Sequence, residues 1–165
     1  MNRTWVAMLG AATLAVAGCG GGRDEASESS AKPLTKAPFI ARADAICREV
    51  KQAQQPHTDR FRALTRGADL RRVAPILEDA LAQTRKGRER LQTLRAQAPR
   101  EDRATLDAYF AAADRLLAAS ERLAEAAKSG DRVEGRRVAA TADTLSEEQQ
   151  RRADEYGFED CGDVF

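Results

Sequence analysis

Three cysteines and one histidine hold most of the chemical potential of this chain: Cys19, Cys47, Cys161 and His57. Thiolates and imidazoles bind metals, relay protons or attack as nucleophiles. Here their spacing argues against each use. A zinc centre needs about four clustered ligands, usually His and Cys, and His57 has no second histidine with it. A nucleophile relay needs a His beside a Ser or Cys, yet no Gly-x-Ser-x-Gly elbow occurs. Cys47 and Cys161 lie too far apart for a Cys-x-x-Cys redox pair, and no glycine-rich phosphate loop follows a strand. His57, next to Pro56, reads as a plain loop residue.

The charged residues offer three further candidates. Glu147-Glu148 are helix neighbours, so their side chains point about 100° apart and read as a solvated face, not a catalytic pair. The acidic end, Glu155, Glu159, Asp160 and Asp163, lacks the spaced ligand loop of a calcium-binding hand. Arg85, Lys86, Arg88, Arg90 and Arg95 form a basic stretch. It reads as a solvated, partly salt-bridged face, with contact to anionic lipid head groups as the alternative. The sequence therefore predicts no catalytic residue, no metal, no cofactor and no enzyme.

The beginning of the chain carries the strongest signal. After a single charge at Arg3, an apolar run from about Trp5 to Ala17 fits the core of a secretory signal. It is shorter than the roughly 20 residues a spanning helix needs, and no later segment is apolar enough to span. Asn2-Arg3-Thr4 matches a glycosylation sequon but falls inside this segment. Val16, Ala17, Gly18 and Cys19 resemble, position by position, the lipobox of bacterial lipoproteins: aliphatic, small, Gly or Ala, then Cys. The resemblance implies cleavage before Cys19 and a diacylglyceryl thioether on its sulfur. The protein would then be lipid-anchored to the cell membrane on its extracytoplasmic side. Gly20 in place of Asp gives no signal for inner-membrane retention. Each buried acyl methylene adds about 0.8 kcal/mol, so two or three chains hold the protein without a spanning helix.

If Cys19 carries lipid, Cys47 and Cys161 remain as a pair in an oxidising compartment, and a disulfide between them is expected; the alternative is two free thiols. It would close a loop of about 114 residues, worth about 4–5 kcal/mol in the chain-entropy description. Loss of the signal removes Arg3 from 27 basic residues and leaves 26 against 26 acidic ones. A neutral mature chain is a poor nucleic-acid binder, so no nucleic-acid partner is expected.

These residues must be carried by helices. Residues 19–36 hold the lipidated Cys and a tether, since Gly20-Gly21-Gly22 and the polar residues after it bury too little apolar surface to order. Its reach is about 20–25 Å. Residues 37–165 form the domain. The first helix spans about Pro38 to Gln54, with Phe39, Ala43, Ile46, Cys47 and Val50 on one face and Pro56 at its exit. A short turn or helix, Thr58 to Arg66, ends at Gly67.

The second helix, about Asp69 to Gln97, has the stripe Leu70, Val73, Leu77, Leu81, Thr84, Gly87, Leu91 and Leu94. Pro75 either starts it or kinks its first turns. Gly87 on the stripe is either a point of close helix approach or simply tolerated, at a cost of about 1 kcal/mol relative to Ala. The third helix, about Arg100 to Ser129, is the clearest, with Leu106, Tyr109, Phe110, Ala113, Leu116, Leu117, Ser120, Leu123, Ala124 and Ala127 in phase. Gly130 suits the position just past its end, and Asp131 the next N-cap. The fourth, about Arg132 to Tyr156, turns Val138, Ala142, Leu145, Gln149, Ala153 and Tyr156 inward and stops at Gly157. Short connections make these antiparallel neighbours. The expected fold is all-α, an up-down four-helix bundle behind a disordered N-terminal tether.

The segment Phe39-Ile40-Ala41-Arg42-Ala43-Asp44-Ala45-Ile46-Cys47-Arg48, with Tyr156-Gly157-Phe158-Glu159-Asp160-Cys161-Gly162 at the other end, resembles small actinobacterial envelope proteins. Those pair an early "ADAIC" helix with a late "YG-x-x-x-C" end around an Ala-rich helical middle. The resemblance implies the bundle and the bridge, and no activity. The expected function is a non-enzymatic interaction module of the cell envelope, held at the membrane through Cys19 and meeting an unknown envelope protein. The alternative is a bundle that holds a small apolar ligand or lipid in a groove lined by Tyr109 and Phe110.

Overall fold

The computed structural model describes residues 32–64 and 69–164. Cys19, the expected signal segment and most of the expected tether lie outside them. Four helices make up the domain: α1 (Lys36–Arg62), α2 (Leu70–Arg95), α3 (Arg103–Ser129) and α4 (Arg132–Tyr156). Among the described residues there is no strand. The helix ends follow from local chemistry. The Asp69 carboxylate accepts from Arg71 N–H (3.0 Å), and Asp131 accepts from Val133 and Glu134 N–H, each occupying donors that a helix start leaves free. Gly130 (φ 77°) and Gly157 (φ 100°) stop α3 and α4 in the left-handed conformation that a side chain disfavours.

Two boundaries in the first half of the chain differ from the sequence expectation. The first helix does not exit at Pro56. It runs on to Arg62 and absorbs the start of the expected Thr58–Arg66 element, so His57 is helical and not in a loop. Pro56 deprives the Gln52 carbonyl of its helical partner, but both residues are exposed, on the side of the helix where a carbonyl is open to solvent. Pro75 is likewise exposed and inside α2, which starts at Leu70 behind its Asp69 cap, in agreement with the expected start near Asp69; of the two alternatives for Pro75, the helix does not begin there. The folded body also begins ahead of residue 37. Leu34 packs against the core, and its N–H donates to the Gln97 carbonyl at 2.8 Å.

Ion pairs and hydrogen bonds trace the antiparallel registers. Between α1 and α2, Glu49 meets Arg90 and Arg60 meets Asp79; between α2 and α3, Arg85 meets Glu121 and Arg88 meets Asp114; between α3 and α4, Arg115 meets Glu148 and Arg122 meets Glu134. The chain thus runs up and down with successive helices adjacent. Gly87 is a point of close approach: a Cβ there would lie 2.3 Å from Val50 Cγ2.

The backbones of α1 and α4 barely approach one another. One half of the seam between them is filled by residues 157–164, which fold back after Gly157. Cys161 is joined to Cys47 by a disulfide, with Cα atoms 5.2 Å apart. Phe158 enters a cluster with Phe39, Tyr109 and Tyr156 at ring separations of 4.7–6.4 Å. The backbone polar groups of this irregular segment find partners, as burial demands. The buried Asp44 carboxylate accepts from Glu159 and Asp160 N–H, and the Cys161 carbonyl accepts from Tyr109 Oη–H and from the Gln149 amide, both at 3.1 Å. Gln54 donates to the Val164 carbonyl, and Arg48 and Lys51 pair with Asp160.

Candidate binding cleft

Beyond Val164 the same seam stays open. The positions of α1 past Val50 that border this half of the seam are Gln54, His57 and Phe61, and those of α4 that line it are Gly135 and Ala139, while Val138 is buried elsewhere. These bordering residues are polar, small or turned outward, so among the described residues no side chain of α1 or α4 covers the leucines opposite. The result is a cleft of about 400 Å³. Phe61 of α1 flanks it; Leu70, Val73 and Leu77 of α2 and Leu123 and Ala127 of α3 form its floor; Gly135 and Ala139 of α4 form the other wall. Two hollows of about 210 and 220 Å³ share Leu77 with it and extend it toward His57 and toward Val164. Phe61 is 51% exposed, unusual for an aromatic ring in a bundle this small.

Two cations line the cleft, Arg132 and Arg136. One helical turn apart, they share a face of α4. Neither has a carboxylate within 4.0 Å among the described residues, whereas most arginines along the bundle do. The one acid in the first turn of α4, Glu134, is already engaged by Arg122 and Arg137. Those guanidiniums hold its carboxyl below the usual carboxylate range, Arg137 foremost.

The residues singled out by sequence fall elsewhere. Cys47 and Cys161 meet as a pair. Tyr109 and Phe110 do not line a groove; they are 1% and 3% exposed, because their stripe faces the half of the seam that the C-terminal segment closes. Burial pushes the Tyr109 phenol far above its ordinary value, so it serves as a hydrogen-bond donor. The arginines of the basic stretch of α2 are spent on helix pairing, while Lys86 is exposed with no carboxylate within 4.0 Å among the described residues. Arg85, Arg90 and Arg95 each hold a carboxylate, and Arg88 is buried with its guanidinium 4.6 Å from the Phe110 ring centre and its charge on Asp114. Glu148 answers Arg115 and so forms no pair with Glu147. Glu155 and Asp160 are likewise held by cations. Among the described residues no three His, Cys, Asp or Glu side chains gather as a metal site. His57 Nδ1 lies 3.9 Å from Asp79 with no hydrogen-bond partner and no nucleophile beside it.

What the sequence reading missed was Phe61, Arg132 and Arg136. Gly135 and Ala139, small residues placed opposite a leucine stripe, were the available signal. No protein-family model, curated protein or solved structure matches the chain.

Proposed function

We propose that this protein is an extracytoplasmic lipoprotein, anchored to the cell membrane through lipid on Cys19, that acts by binding and not by catalysis. The lipobox-like residues Val16-Ala17-Gly18-Cys19 support the anchor. The open apolar cleft carries the binding reading, since its volume falls within the roughly 300–1,000 Å³ usual for small-molecule sites. Of the two roles expected from sequence, the cleft favours the ligand-holding bundle. Exposed Phe61 also suits an envelope-protein partner, and in-cell photocrosslinking from position 61 separates the two.

Two measurements test the proposal. A mass spectrum of the mature chain from the membrane fraction should show an N-terminal diacylglyceryl Cys19; an unmodified Cys19 refutes the anchor. A neutral apolar dye such as N-phenylnaphthylamine should brighten on binding mature chain in which Cys19→Ser removes the lipid. Ala139→Trp, which fills the cleft, should abolish the signal. No brightening, or brightening that Ala139→Trp leaves intact, refutes the binding reading.

A further inference from the structure

We infer that the cleft takes a long-chain carboxylate, with the acyl chain along Leu70, Val73, Leu77 and Leu123 and the carboxylate at Arg132 and Arg136. The inference rests on the binding reading above and adds the chemistry of the occupant.

The lining restricts the occupant first. Leu70, Val73, Leu77 and Leu123 make an apolar floor, and two further hollows adjoin it at Leu77, toward His57 and toward Val164. An elongated apolar trough of this kind suits a linear acyl chain.

Charge restricts it next. An apolar cleft lined with two guanidiniums that have no carboxylate within 4.0 Å among the described residues favours an anion over a neutral or cationic head group. The planar fork of a guanidinium matches the two oxygens of a carboxylate. The local acids are not available to neutralise these cations. Asp131 caps α4, and Glu134 is shared between Arg122 and Arg137. Ligand binding would therefore supply the partners that the chain itself gives to most of its other helix-surface arginines.

The test measures equilibrium binding of dodecanoate, dodecanol and dodecyltrimethylammonium to the mature Cys19→Ser chain by native mass spectrometry and calorimetry. Dodecanoate should bind tightest and the ammonium weakest. The exposed pair of changes Arg132→Gln and Arg136→Gln should weaken dodecanoate by about tenfold and leave dodecanol unchanged. Ala139→Trp should remove both. Equal binding of carboxylate and alcohol, or a ratio that survives the arginine changes, overturns the carboxylate assignment while leaving the cleft as a binding site. Failure of all three ligands overturns the binding reading itself. Concentration-dependent dimers of the unmodified mature chain that Ala139→Trp dissolves would assign the cleft to a second copy instead.

Discussion

The two ends of the bundle use the same four helices and reach opposite outcomes. At the end where α1 begins, residues 157–164 enter the α1–α4 seam, and Phe39, Cys47, Leu91, Leu94 and Leu106 are buried beneath them. At the other end no such insert enters the seam among the described residues, and Leu70, Val73, Leu77 and Leu123 are half-buried. The α2 stripe runs unbroken through both. Helical periodicity therefore fixes which face of α2 is apolar, while what a distant segment places against that face fixes how far it is buried. Cross-linking differs in the same sense. The closed end is tied by a disulfide, five aromatic ring contacts and bonds to the carbonyls of Cys161 and Val164. The open end is tied by exposed polar links, Arg60 to Asp79, Lys128 to Glu78, Arg122 to Glu134 and Arg71 to the Ser129 carbonyl, with no disulfide or aromatic cluster among the described residues.

The largest effect that could break this contrast comes from the bridge. Cys47→Ser with Cys161→Ser should cost about 4–5 kcal/mol in urea unfolding, and residues 158–164 should lose amide-exchange protection. A cost below about 1 kcal/mol would mean that packing alone holds the insert. Next is a matched aromatic pair. Phe158→Ala removes the hub of the ring cluster and should cost about 3–5 kcal/mol, whereas Phe61→Ala should stay within about 0.5 kcal/mol. Similar costs at both positions would erase the distinction between the ends.

Gly87→Ala tests the α1–α2 contact between them. The added methyl meets Val50 Cγ2, so overpacking of about 1–3 kcal/mol should outweigh the roughly 1 kcal/mol gained in helix propensity. Val50→Ala should relieve the clash, visible as a coupling in the double-mutant cycle. A stabilised Gly87→Ala would show that Val50 moves aside freely.

The fold was readable from sequence because its determinants are local. Asp69, Asp131, Gly130 and Gly157 punctuate the chain through side-chain caps and left-handed turns that involve neighbours a few residues away. The Cys47–Cys161 bridge was readable as well, by redox context once Cys19 was set aside. Pro56 misled because a proline's effect depends on which side of the helix loses its hydrogen bond, and that side is known only after packing. The cleft was not readable for the same reason. Tyr109 and Phe110 have the composition of a ligand pocket, yet they lie under the insert, while the open half of the seam is lined by Gly135, Ala139 and two arginines. An unfilled space is set by all of the elements around it, and no single helix records it.

Titration separates the ends by sign, and at the open end it gives the smallest effect. At the closed end burial raises the phenols of Tyr109 and Tyr156, the second also because its hydroxyl donates to Asp102 at 3.0 Å. An unfolded tyrosine ionises near about pH 10, so this stability is whole below that pH and is lost as pH rises toward the folded values. These are the chain's two tyrosines, so tyrosinate absorbance should appear only together with loss of helix; a separate earlier step would show that the closed end is open to water. At the open end the shift runs the other way. Glu134 is held down by Arg137 and then Arg122, so its contribution is present above the unfolded glutamate value of about 4.3 and is lost as pH falls through the folded one. Because Glu134 stands at the surface, the effect is small and screened by salt. Glu134→Gln should flatten the acid limb of stability against pH slightly, most visibly at low ionic strength, and leave the alkaline limb in place. A change in the alkaline limb would mean that the two ends are coupled through α4, and the contrast between them would have to be redrawn.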